Sequence, residues 1–301
     1  MLEAKQLRKE FNNVTAVDGI SFSVGKGRIF GLIGPNGAGK TTTLRIILDI
    51  IKPSAGEIFY NGAKISQDFQ NKIGYLPEER GLYKKSKTLD TLVYFAALKG
   101  MEKNKAAQAA KKWLKALDIE SFAPRKIEEL SKGNQQKIQF IAAFLHDPEI
   151  IILDEPFSGF DPVNQEMAKK VIAEHLNTGK IVILSTHQMD IAEKLCSDIF
   201  LINKGKEVLS GSISDIKKKF GQNMYKAEYE GDASFVKGLP GVLSADVNSG
   251  SLEARLEPGF KPHEFLKALS AKVNVNSFIS VEPSLHNIFI QTVNQTPAEV
   301  I

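Results

Sequence analysis

The sequence holds a single cysteine, Cys196, in 301 residues. No disulfide can form within the chain, which suits a reducing compartment. Cys196 follows Ile191, Ala192 and Leu195 in a predicted helix and reads as a small buried apolar side chain rather than a reactive thiol. Long apolar runs are also lacking. None approaches the roughly 20 residues needed to span a bilayer, and Met1-Leu2-Glu3-Ala4-Lys5 has no apolar core of the length a signal peptide needs. If this protein works at a membrane, another protein must hold it there. A strong excess of one charge is missing as well. The 39 basic and 35 acidic residues leave only +4, which argues against a dedicated nucleic-acid binder. That charge is uneven: residues 221–301 carry nine acidic and six basic side chains, net −3, so the rest carries +7. A basic front part suits a polyanionic ligand or an anionic membrane surface. Internal repeats and low-complexity tracts are absent.

What is present is alternation. Short apolar segments, Ile29-Phe30-Gly31-Leu32-Ile33, Ile150-Ile151-Ile152-Leu153 and Ile181-Val182-Ile183-Leu184, alternate with amphipathic helical runs. This predicts an α/β domain with a largely parallel sheet. Each strand ends at a polar segment, where ligands bind in such sheets. From about 86 to 146 strand signals are scarce: Thr88 to Leu92 opens a helix and Lys103 to Asp118 is rich in Ala and Lys, so this part reads as a helical insertion. Lys217-Lys218-Lys219-Phe220-Gly221 reads as a solvated helix end. Beyond it come a strand at Met224–Tyr229, a short helix through Phe235, strands at 242–247 and 251–256, a helix at 262–269 and a strand near 273–279. This β-α-β-β-α-β order predicts a small ferredoxin-like domain. The domains expected are 1–220 and, as an α+β accessory, 221–301.

Gly34-Pro35-Asn36-Gly37-Ala38-Gly39-Lys40-Thr41-Thr42 matches G-x-x-x-x-G-K-[ST] between a predicted strand and a helical run from Thr43 to Ile51. Glycines let the backbone wrap phosphate oxygens, and successive N–H groups with a helix N-terminus supply positive potential. Lys40 is expected to reach the β- and γ-phosphates of a nucleotide and the Thr41 hydroxyl to ligate Mg²⁺. The 150–153 strand runs directly into Asp154-Glu155. An acidic residue after a buried strand beside such a loop suits Mg²⁺, which assigns the metal to Asp154; Glu155 is then placed to polarise the attacking water.

The intervening residues carry a resemblance. Leu130-Ser131-Lys132-Gly133-Asn134-Gln135-Gln136 resembles the LSGGQ signature of ABC ATPases, Ser158-Gly159-Phe160-Asp161 resembles their D-loop, and Ser185-Thr186-His187 their switch histidine. Over roughly residues 1–215 the chain is identified as a member of the ABC transporter ATP-binding subunits. The resemblance implies a P-loop NTPase core of ABC type with a helical subdomain. It implies ATP and Mg²⁺ as cofactors, a permease and a second copy or homologous ATPase subunit as partners, and a place on the cytoplasmic face of the membrane. It further implies that Phe11 stacks on adenine and that His187 contacts the γ-phosphate and holds the Glu155 water. Ser131, Lys132, Gly133 and Asn134 would meet ATP held by the facing subunit, with Asp161 linking the two sites. Two positions depart from the family pattern. Lys132 stands where glycine is usual, and Glu78 stands where the family has the glutamine of its Q-loop. Glu78 then either ligates Mg²⁺ or pairs with Arg80. Gly74 to Tyr83, with Pro283 to Phe289, resembles a prokaryotic branch of sodium- or multidrug-export type with an extra C-terminal domain.

A non-transport ABC ATPase acting on nucleic acid or ribosomes is the alternative. The stretch from Thr42 to Leu130 has no sustained heptads, unlike DNA-repair members, and the chain has one cassette, where translation members usually have two. Asn203-Lys204-Gly205-Lys206 superficially resembles a guanine-recognition motif, with Lys206 where Asp is required.

Overall fold

A computed structural model describes residues 1–79 and 81–295. Arg80, considered above as a partner of Glu78, lies outside them, as does the tail beyond 295. The chain divides into two compact units, the first ending at Gly211 and the second beginning at Ser212.

The first unit contains strands β1 (Leu2–Phe11), β2 (Val14–Val24) and β3 (Ile29–Ile33), helix α1 (Lys40–Ile47), and strands β4 (Ala55–Tyr60), β5 (Ala63–Lys64) and β6 (Ile73–Leu76). Helices α2 (Thr88–Leu98), α3 (Lys103–Ala116) and α4 (Lys132–Phe144) follow. Then come β7 (Ile150–Asp154), α5 (Pro162–Asn177), β8 (Ile181–Thr186), α6 (Met189–Leu195), β9 (Asp198–Asn203) and β10 (Lys206–Ser212). A six-stranded sheet runs β10-β9-β3-β8-β7-β6, with β9, β3, β8, β7 and β6 parallel. β3, β7 and β8 are buried along their whole length. Strands covered on both faces read as continuous apolar runs, which is why these three are legible in the sequence. Each buried Ile or Leu there contributes on the order of 1.5–3 kcal/mol.

A second sheet, β2-β1-β4-β5, is antiparallel and was not anticipated. Its strands alternate: Leu2, Ala4 and Leu7 are buried while Lys5 and Gln6 are exposed, so no continuous apolar run marks it. The expected helical part is present. α2, α3 and α4 pack around Leu92, Ala96, Ala110, Leu114, Ile138 and Ile141. Ser131 caps α4 by accepting from Asn134 N, and Asp161 caps α5 with Pro162 in its first turn. Cys196 lies one residue past the end of α6 and is buried. Burial pushes its thiol up to about 12.

The second unit begins with α7 (Ile213–Phe220), whose last turn carries Lys217, Lys218 and Lys219. After it come β11 (Met224–Glu230), a short 3₁₀ turn at Ser234–Gly238, β12 (Val242–Asn248), β13 (Ser251–Leu256), α8 (Pro262–Ser270), β14 (Asn274–Ser280) and α9 (Leu285–Gln295). The sheet order is β12-β13-β11-β14 and all three pairings are antiparallel. That is the ferredoxin-like arrangement, with the 3₁₀ turn replacing the first helix. Its core, around Tyr229, Val236, Leu252, Phe265 and Leu269, is its own. The boundary lies earlier than the expected 220/221. A Cβ on Gly221, after α7, would sit 3.0 Å from Pro283 and 3.4 Å from Glu282. Helix α7 therefore belongs to the second unit.

Candidate functional site

The loop from Gly34 to Gly39 leaves β3 and opens α1. Two glycines there are required by space. Gly34 has φ 155° and a Cβ on it would lie 2.1 Å from Ile202 O; Gly39 has φ 108° and a Cβ would lie 2.5 Å from Ala16 O. Gly37 also has positive φ, 76°, yet a Cβ there would meet nothing, so its open side faces free space. Lys40 is buried. Its Nζ donates to Gly34 O at 2.8 Å and Pro35 O at 3.1 Å, and lies 4.0 Å from Glu155 Oε1. Burial lowers the Lys40 pKa, and the carboxylates of Glu155, Asp154 and Glu78 oppose that shift. Ala38 is buried, and its carbonyl accepts from Gly205 N. The segment Asn203 to Lys206 is thus a β9–β10 turn that braces the loop. This accounts for it without base recognition.

A pocket of about 250 Å³ joins Asn36, Gly37 and Gly39 to Thr42 with Glu78, Asp154, Glu155 and Ala16. Asp154, at the end of β7, is buried and accepts a short hydrogen bond from Ser185 Oγ. Burial raises its pKa, opposed by hydrogen bonds from Ser185 and Thr41. The contact with Thr41 puts a hydroxyl beside the carboxylate, the pair an oxygen-seeking cation needs. Glu155 is also buried and adopts φ 48°, a left-handed backbone that costs a non-glycine residue on the order of 1–3 kcal/mol. Its Oε1 accepts from His187 N at 2.9 Å and lies 2.8 Å from His187 Nδ1; its Oε2 accepts from Thr186 Oγ1 at 3.2 Å. The Glu155 carboxylate is therefore held from the end of β8.

The structure brings the phosphate loop, Glu78, Asp154, Glu155 and His187 together and leaves other sequence candidates apart. Phe11 ends β1 and is half exposed, with Lys9 Nζ 5.0 Å from its ring centroid. Ser131 and Lys132 are exposed at the start of α4, with Gly133 and Asn134 half-buried behind them. None of the four lines the phosphate pocket. Asp161 accepts from Asn164 N and Nδ2 at 2.8 and 2.7 Å as the cap of α5. Ala16, Ser185 and Thr186 were missed as site residues. Only the last two carry a signal, a polar pair ending a buried strand next to His187.

A loop that wraps phosphate from a strand end, beside a strand ending in two carboxylates, defines a phosphate-loop nucleotide hydrolase. Similarity to known proteins narrows this. Residues 17–158 match the ABC transporter family, and residues 211–293 match the C-terminal domain of DrrA1-3-like ATP-binding proteins. The uncharacterized ABC transporter ATP-binding protein YhaQ of Bacillus subtilis is 42% identical, over 97% of this chain and 98% of that protein. The linearmycin resistance ATP-binding protein LnrL of the same organism is 30% identical over 98% and 99%. A solved ATP-binding subunit of an ABC transporter is 29% identical with TM-score 0.68, covering 73% of this chain and 93% of its own. The chain belongs to the ABC transporter ATP-binding protein family. It is an ATPase subunit that powers transport, and the reading of an ATPase acting on nucleic acid or ribosomes has no support.

Proposed function

We propose that two such subunits, identical or homologous, close face to face on ATP and drive a separate permease, in the direction of export. The carrying observation is the separation just described: Ser131 to Asn134 are offered at the surface while their own phosphate pocket lies elsewhere. A helix N-terminus attracts anions, so Ser131, Lys132, Gly133 and Asn134 complete the pocket of the facing subunit, and Phe11 stacks on adenine. Asp161, at the start of α5, links the two sites. Mg²⁺ is held by Thr41 and Asp154, with Glu78 as a further carboxylate. Among the described residues no group of three or more His, Cys, Asp or Glu side chains is arranged to hold a metal. Mg²⁺ keeps waters and phosphate oxygens among its ligands, so a hydroxyl and one or two carboxylates would hold it here, and it would supply charge neutralisation at the phosphates. Glu155 accepts the proton of the attacking water and His187 fixes its carboxylate.

Among the described residues no helix is long and apolar enough to cross a membrane. A groove of about 250 Å³ between Tyr75, Pro77, Leu82, Phe95 and Leu98 lies next to the Glu78 segment. Exposed Tyr83 and Tyr94 meet edge to face beside it, with ring centroids 5.6 Å apart. Exposed aromatic anchors of this kind favour a protein partner, and this groove is where the permease docks, holding the subunit at the cytoplasmic face of the membrane. LnrL, named for linearmycin resistance, supports export. The expected result is that the tagged chain copurifies from its own membranes with an integral membrane protein, and that Leu98→Asp with Tyr94→Ala releases that protein while ATP binding stays. Copurification with no membrane protein would count against the reading.

A further inference from the structure

Helix α4 begins at the signature segment and turns one side, Gln136, Gln139 and Ala143, toward the catalytic sheet, with His146 just past its end. The helix body is pressed on β6: a Cβ on Gly74 would lie 1.9 Å from Ala143 O, and His146 Nε2 lies 3.1 Å from Ile73 O. The loops beyond β6 and β7 are held differently. Gln136 Nε2 donates to Ser158 O in a short bond and to Pro156 O at 3.4 Å, in the loop directly after Asp154-Glu155. Gln139 Nε2 donates to Pro77 O at 3.2 Å and Glu79 O at 3.0 Å, on either side of Glu78. Between these loops lies a cavity of about 100 Å³, lined by both glutamines and by Glu78, Asp154 and Glu155. Phe160 packs on Phe140 of α4, with ring centroids 6.5 Å apart, and the two amides add polar ties to both loops. The oxygen of the Gln136 amide is buried with no hydrogen-bond partner.

We infer that Gln136 and Gln139 are positioning residues, which carry engagement of Ser131–Asn134 by the facing subunit's nucleotide down α4 to the loops holding Glu155 and Glu78. This rests on the facing-subunit reading. A rigid helix moves as a unit, so a shift at its N-terminus reaches both amides within the following two turns. Occupancy of one site then sets the geometry of the other.

The test uses the full chain with Gln136→Met, which keeps the length and unbranched shape of the side chain but removes the donor. kcat falls by about tenfold or more and the Hill coefficient for ATP drops to near 1. Nucleotide affinity stays within about twofold, and thermal stability is retained. Gln139→Met gives the same pattern independently, should the first variant fold poorly. Gln70→Met is the control, since its amide donates to Leu48 O at 3.3 Å, away from α4 and both loops; it keeps wild-type cooperativity. Wild-type kcat and cooperativity in both Gln136→Met and Gln139→Met would overturn the inference. So would affinity and stability falling in step with kcat, which marks a purely structural role. A wild-type Hill coefficient of 1 at every protein concentration would defeat the facing-subunit reading itself, and this inference with it.

Discussion

Glu155→Gln is expected to bind ATP as tightly as the wild type and to hydrolyse it about 10²–10⁴-fold more slowly, the range a positioned general base supplies. The substitution keeps shape and can keep the bond from His187 N, with the amide NH2 turned to donate to Thr186 Oγ1, so the loss isolates proton acceptance from positioning. On the proposed pairing, hydrolysis is also the step that reopens the two subunits. The variant should therefore accumulate as an ATP-bound dimer, visible by light scattering, while the wild type returns to monomer as ATP is consumed. Single-turnover hydrolysis at the wild-type rate would remove Glu155 from the base role.

Lys40→Ala is expected to weaken ATP binding itself, by roughly tenfold to a hundredfold, the equivalent of one charge-assisted hydrogen bond to a phosphate. Titration calorimetry with the full chain measures this directly. The fold should persist, because the ammonium's hydrogen bonds go to the Gly34 and Pro35 carbonyls of its own loop, and Glu155, 4.0 Å away, keeps its bonds to His187 and Thr186. The two substitutions thus separate: Lys40→Ala fails at binding, and Glu155→Gln fails after it. Unchanged affinity in Lys40→Ala would mean that the loop does not hold the phosphates.

The contrast between these residues and α4 shows what a sequence displays. The loop is legible because its chemistry needs fixed residue types at fixed spacing, and β3, β7 and β8 are legible because burial on both faces leaves only apolar residues. The antiparallel sheet of β1, β2 and β4 is hidden, since Lys5, Gln6 and Glu10 interrupt its apolar side. The three lysines ending α7 read as the edge of a domain, whereas the second unit begins before that helix; close approach of Gly221 to Pro283 is not written in composition. Gln136 and Gln139 sat in view beside the signature, but a glutamine that bonds to backbone leaves no pattern at the residue that accepts. The aim given to Glu155 by His187 and Thr186 likewise depends on β7 and β8 lying side by side, which only the fold supplies.

Cys196 carries a practical consequence. Its Sγ sits where a Cβ on Gly31 would come within 2.7 Å, and burial holds the thiol in its unreactive form. As the chain's one cysteine, it leaves the exterior chemically silent toward maleimides. A cysteine introduced at exposed Ser131, or at Asn36 on the phosphate loop, would take a fluorophore or spin label alone. The native chain is thus already the blank background on which the approach of two subunits can be followed by spectroscopy.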